Sequence, residues 1–160
     1  MKILGVDPGL LNLGCVLLEV KEKKLNLIKA ETIKAPPKQS LSQRLFFLYQ
    51  AFKKLLKSER PEFLVVEEPI PKINPHSTAK VFQAQAIVLI IAEEESIPIR
   101  YYNPSFWKKY LCGDGKATKA EVKNFLKAFI GKEFDAKIKD EHTSDALAMA
   151  LVLALDLNLL

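Results

Sequence analysis

A chain of 160 residues, 49% apolar and 27% charged, can bury a substantial core and has the balance of an ordinary globular protein rather than a disordered one. Its longest apolar run, residues 146–155, is too short to cross a bilayer, nothing at the start resembles a cleavable leader, and Cys15 and Cys112 give neither a disulfide framework nor metal spacing. A cytoplasmic protein with no membrane partner is expected. The net charge of +5 is spread unevenly: residues 1–60 hold 12 Lys/Arg against 5 Asp/Glu, whereas residues 61–100 and 132–160 each hold 3 against 6. A basic surface interrupted by acidic stretches fits a nucleic-acid binder that gathers carboxylates into a site, and equally fits a plain basic surface.

Residues 1–7, 13–20 and 24–33 read as three strands of an antiparallel meander. The first ends on Asp7, just before the turn signal Pro8-Gly9. A carboxylate where a buried strand stops either caps the turn or meets a cation or a phosphate. Ala35-Pro36-Pro37 then breaks the pattern. From Ser40 to Ser58, Leu41, Leu45, Leu48, Phe52 and Leu55 recur at helical spacing, and Arg60-Pro61 closes that helix. Phe63–Glu67 is a short continuous apolar strand, as found in buried parallel sheets. Its end repeats the opening: Glu67-Glu68-Pro69, with Glu68 expected on the face opposite Glu67.

A helix from about Ser77 to Glu95 follows, with Val81, Gln85, Val88 and Ala92 on one face. Ile97–Tyr102 reads as a fifth strand, and Asn103-Pro104 starts a short helix. After Gly113-Asp114-Gly115, Thr118 and Glu121 form a capping box for the next helix. Its Val122, Phe125, Leu126 and Phe129 are expected inside, with Lys119, Lys123 and Lys127 outside. Residues 142–157 predict a last helix, apolar nearly all round and therefore buried. No linker, repeat or low-complexity tract divides the chain, so residues 1–160 read as one domain.

The order β-β-β-α-β-α-β-α-α-α implies an α/β fold. Its five-stranded mixed sheet, three strands antiparallel and two parallel, is flanked by helices on both faces. This is the ribonuclease-H-like architecture. If the first and fourth strands are parallel neighbours, Asp7 and Glu67 emerge at the same edge. His142 and Asp145, at i and i+3, share one face of the last helix. Carboxylates with an imidazole can hold one or two divalent cations, which serve phosphodiester hydrolysis by activating water and stabilising the leaving oxygen. Singly, each residue has an ordinary use: His142 as an exposed residue at a helix start, Asp140 and Glu141 as solvated carboxylates. Glu141, four residues before Asp145, could also substitute as a ligand.

Gly5-Val6-Asp7-Pro8-Gly9, Val66-Glu67, Gly113-Asp114-Gly115-Lys116-Ala117-Thr118-Lys119 and Asp145-Ala146-Leu147-Ala148 resemble, in order and spacing, the RuvC family of Holliday-junction resolvases. The resemblance covers nearly the whole chain. It implies a homodimeric, magnesium-dependent endonuclease that resolves four-way DNA junctions by paired symmetric nicks in recombination and repair. It implies that Asp7, Glu67 and Asp145 are metal-binding catalytic carboxylates of a two-metal Mg²⁺ site, with Mn²⁺ as the other candidate ion. His142 stands where many members carry another aspartate, and it carries over as a catalytic, metal-coordinating residue that lowers the site's negative charge.

Lys108 and Lys119 match the family's functional lysine pair, with Lys116 and Lys123 as further expected DNA contacts. Ile70 stands where many relatives place an aromatic at the junction centre; it can wedge against bases but cannot stack. On the helix around Ser77–Ile91, the residues Ala79, Phe82, Ala86 and Ile90 offer either a dimer face or core packing. A C2 dimer would set two identical sites on a two-fold junction. A branch-migration motor complex is a further expected partner. Two rival readings stay open. Gly-x-Asp-x-Gly after a strand also opens actin-like nucleotide-binding domains, and a junction-binding module without cleavage would keep most of these motifs.

Overall fold

The computed structural model describes residues 1–68 and 75–160. Strands β1 (Lys2–Asp7), β2 (Asn12–Lys21) and β3 (Lys24–Lys34) form the antiparallel meander. Strand β4 (Phe63–Glu67) lies parallel to β1, and β5 (Ile99–Tyr102) lies parallel to β4, giving the sheet order β3-β2-β1-β4-β5. The helices are α1 (Leu41–Glu59), α2 (Pro75–Glu94), α3 (Pro104–Cys112), α4 (Lys119–Ile130), α5 (Lys132–Lys137) and α6 (Glu141–Asp156). This is the expected mixed sheet of the ribonuclease-H-like fold.

Alternation along the strands divides the core in two. Leu4, Val6, Leu13, Cys15, Leu17, Leu64 and Val66 face α1 and α2, where they meet Leu48, Phe52, Val88 and Ile91. Ile3, Val16, Leu18 and Val65 face the other way, onto α6 and, with it, Trp107 of α3 and Leu126 of α4. Asp7 and Glu67 share the parity of Ile3 and Val65, so both emerge on the α6 side. Helix α6 is buried along nearly its whole length from Thr143 to Ala154, as its uniform apolarity required.

The helix starts are fixed by their own residues. Ser40 with Gln43, and Thr118 with Glu121, close reciprocal capping boxes, and Asn103 caps α3 with Pro104 behind it. Gly113, at φ 78°, ends α3 in the left-handed conformation.

Some expectations need correction. Helix α5 was not foreseen: Gly131 breaks the preceding helix, and six residues are too few to show a period, although Phe134 is buried and anchors them. Strand β5 begins at Ile99 rather than Ile97. Phe129 is exposed rather than inside, stacked on Phe125, because α4 meets the core through the narrower stripe of Val122 and Leu126. Leu41, at the open end of α1, is likewise exposed. Among the described residues no helix is long and apolar enough to cross a membrane.

Candidate active site

Two glycines decide how closely α6 can lie on the sheet. A Cβ at Gly5 would fall 2.0 Å from the carbonyl oxygen of Ala146, and one at Gly14 would fall 2.5 Å from the carbonyl of His142. The helix backbone therefore rests directly on β1 and β2, which are adjacent at this point, with Asp7 opposite Gly14. Asp140 pins the helix start. Its carboxylate accepts from the backbone N–H of Thr143 at 2.9 Å and from the Thr32 hydroxyl on β3 at 2.6 Å. It is half-buried and engaged, not solvated as expected.

With the first turn of α6 seated this way, His142 meets the end of β1. Its Nδ1 lies 2.6 Å from Oδ2 of Asp7, across 135 residues of chain. On the neighbouring strand, Glu67 accepts a hydrogen bond from the indole N–H of Trp107 at 3.3 Å, and Trp107 is itself buried. The Lys108 ammonium sits 5.7 Å from the Trp107 ring centroid, within cation–π range. Lys119, the first residue of α4, is ion-paired with Glu141, the first residue of α6.

These side chains share a cavity of about 500 Å³, lined by Asp7, Glu67, Trp107, Lys108, Lys119, Glu141, His142 and Asp145, with Val81 and Phe82 of α2 along one wall. All four expected acid and imidazole groups are thus together with two of the expected lysines. Lys123 lines an adjoining cavity of about 480 Å³ that shares Lys119, Glu141 and Asp145 with the first. Lys116 lines neither, and its backbone N–H is turned to Asp114 in the loop before α4. Ile70 lies outside the described residues.

The cavity presses its acids together. Burial, and then the neighbouring Asp7 charge, push the Asp145 carboxyl up from 3.8 to about 6, against the opposing pull of Lys119 and Lys108. His142 is raised above 6.5 chiefly by its bond to Asp7, which outweighs the opposing effect of burial. A carboxyl that ionises reluctantly beside another carboxylate gains from a cation, and oxygen donors with one imidazole are the donor set of Mg²⁺ or Mn²⁺. By that chemistry the residues fit a divalent ion. Among the described residues, however, no three His, Cys, Asp or Glu side chains already converge as one ligand set. Asp7 is turned to His142, and Glu67 takes the Trp107 N–H.

Sequence reasoning missed the bond from Trp107 to Glu67, the seat formed by Gly5 and Gly14, and the Thr32–Asp140 tie. The one advance signal for any of these was glycine inside a strand, which often marks a close backbone approach.

The model of the crossover junction endodeoxyribonuclease RuvC family matches residues 3–153. A crossover junction endodeoxyribonuclease RuvC of Desulfitobacterium hafniense is 32% identical over 160 residues, covering 100% of this chain and 96% of that protein. One from Azorhizobium caulinodans is 30% identical over 151 residues, or 94% and 88% of the two chains. Among solved structures, T. thermophilus RuvC in complex with Holliday junction substrate superposes with a TM-score of 0.87 at 32% identity, covering 98% of this chain and 94% of that one. The yeast mitochondrial Holliday junction resolvase Ydc2, at 15% identity, a TM-score of 0.66 and coverage of 92% and 76%, shares the fold.

Proposed function

The chain belongs to the RuvC family of crossover junction endodeoxyribonucleases, and from that premise we propose that it resolves four-way DNA junctions by hydrolysing one phosphodiester in each of two opposing strands. The observation that carries the site reading is the meeting of Asp7, Glu67, His142 and Asp145 in one cavity edged by Lys108 and Lys119. The family match over residues 3–153 replaces the actin-like reading.

In this reading Asp7, Glu67 and Asp145 would hold divalent ions, two Mg²⁺ by the family's pattern, with His142 as a further donor; such ions would supply a more acidic water and positive charge for the leaving oxygen. The protein's own groups prepare the rest. Where Asp7 accepts from Nδ1–H of His142, the bond favours the charged ring, and Nε2 offers a lone pair to a cation only once the ring has lost its second proton. Trp107 orients Glu67 through its indole N–H. Lys108 and Lys119 offer positive charge to the phosphate being cut, where negative charge builds up during in-line attack.

A junction needs two cuts related by a two-fold axis, and a homodimer supplies them. The outer face of α2 supports that partner: Phe82 and Ile90 are 42% and 54% exposed, with Ala79 and Ala86 exposed beside them. Phe82 also lines the catalytic cavity, so a second copy docked there would border the site. The test is a labelled synthetic junction beside a linear duplex of the same sequence in Mg²⁺. Paired symmetric nicks in the junction alone are expected; equal cutting of the linear duplex would refute junction selectivity.

A further inference from the structure

The ion pair between Lys119 and Glu141 bridges the first turns of α4 and α6, with both side chains largely exposed at 64% and 70%. Both residues line both cavities, so the pair stands between the catalytic cavity and the adjoining one that Lys123 and Lys139 border. An exposed pair of this kind adds little to stability and is screened by salt. The two helix starts do not depend on it, because each carries its own cap, Thr118 for α4 and Asp140 for α6. What the pair does is cancel the charge of Lys119 and hold its ammonium on the line between the cavities. A backbone phosphate offers that ammonium a fresh partner and releases a condensed counterion as it binds.

We propose that Glu141 is a positioning residue for Lys119: it holds the ammonium between the two cavities in the free protein and yields it to a DNA backbone phosphate, joining the cavities into one groove for the strand being cut. The proposal rests on the reading of Lys119 as a phosphate contact. Glu141 then makes every bound backbone displace a carboxylate, so it weakens DNA binding through Lys119 and takes no part in the chemistry.

The experiment is junction binding without divalent cation across a salt titration, for wild type, Glu141→Gln, Lys119→Ala and the double variant, followed by steady-state cleavage in Mg²⁺. Glu141→Gln should bind about three- to fivefold tighter at low salt, the scale of an exposed ion pair. The slope of log K against log salt should flatten by about 0.9, one counterion, in Lys119→Ala, and the gain from Glu141→Gln should shrink as salt screens the pair it removes. Lys119→Ala should bind more weakly, and the gain from Glu141→Gln should vanish in the double variant. In cleavage, Glu141→Gln should lower KM by the factor seen in binding, and Lys119→Ala should remove that change.

A gain that persists without Lys119 would make Glu141 a general repulsive charge and overturn the proposal. So would unchanged binding by Glu141→Gln, or a collapse of kcat like that of a lost metal ligand. A Lys119→Ala variant that binds as wild type would remove the phosphate contact itself, a failure of the premise distinguishable from the other outcomes.

Discussion

On the face of the sheet that carries α1 and α2, the strands present Leu4, Val6, Leu13, Leu17, Leu64 and Val66, all buried in an aliphatic layer. On the face that carries α6, the same strands present Gly5 and Gly14 among Ile3, Val16 and Val65, and then end in Asp7 and Glu67. Bulky side chains separate α1 and α2 from the strands, whereas the glycines let the α6 backbone touch them. The side chains of the candidate site gather where the approach is closest. A helix resting on backbone cannot slide without a steric clash, and this fixes His142 over Asp7 more firmly than side-chain packing alone would.

That contrast can be broken by paired substitutions. Gly14→Ala drives a methyl into the backbone of His142 and should cost about 1–3 kcal/mol by overpacking. Because the first turn of α6 must lift to admit it, nicking should fall far more than the folded fraction does. Leu64→Ala empties a fully buried site on the other face, at a cost of about 2–5 kcal/mol. Its folded molecules should nonetheless keep the wild-type kcat. Urea unfolding with single-turnover nicking on the same samples separates the two; parallel losses of activity in both variants would erase the distinction between the faces.

A smaller effect should appear in pH dependence. Asp145 titrates higher in the folded chain than in the unfolded one, so folding takes up a proton between pH 3.8 and about 6. Asp145's own contribution to the stability of the metal-free protein should therefore decline as pH rises through that window, and Asp145→Asn should remove that decline. His142 adds a second dependence of the same sign. Its contribution is fully present below 6.5 and is lost as pH rises through its elevated folded value. Thermal unfolding in a chelator at a series of pH values reads both; a difference between wild type and Asp145→Asn that is level between pH 3.8 and about 6 would contradict the Asp145 environment.

The smallest expected effect is at the helix start. Asp140→Ala removes the α6 cap and its tie to Thr32, at about 1 kcal/mol for the cap. Asp140→Asn, which still caps, should recover most of it in the same unfolding measurement.

Much of this arrangement was legible in advance, for reasons that differ by residue. Asp7 and Glu67 could be read because an apolar strand followed by proline marks where a side chain leaves the sheet, and a shared strand parity places both on one face. Asp145 could be read because an apolar helix has nowhere to go but the core. The Lys stripe on α4 was readable from its period, although Phe129 was not, since periodicity cannot say how wide a stripe the core will cover. Gly5 and Gly14 were unreadable as a seat, because the backbone they receive lies more than a hundred residues away and a strand glycine has several uses. Trp107 looked like ordinary core; only the neighbouring carboxylate, 40 residues earlier, gives its indole N–H a role.

The most direct measurement is single-turnover cleavage of a labelled four-way junction in Mg²⁺, with binding recorded on the same samples, for wild type and Asp7→Asn. Loss of an outer-shell partner costs roughly 10- to 100-fold at metal centres, so loss of a ligand itself should exceed about a hundredfold. Asp7→Asn should bind the junction and leave it uncut over the time in which wild type makes both nicks. Cutting by Asp7→Asn at the wild-type rate would contradict the placing of the catalytic centre at the end of β1.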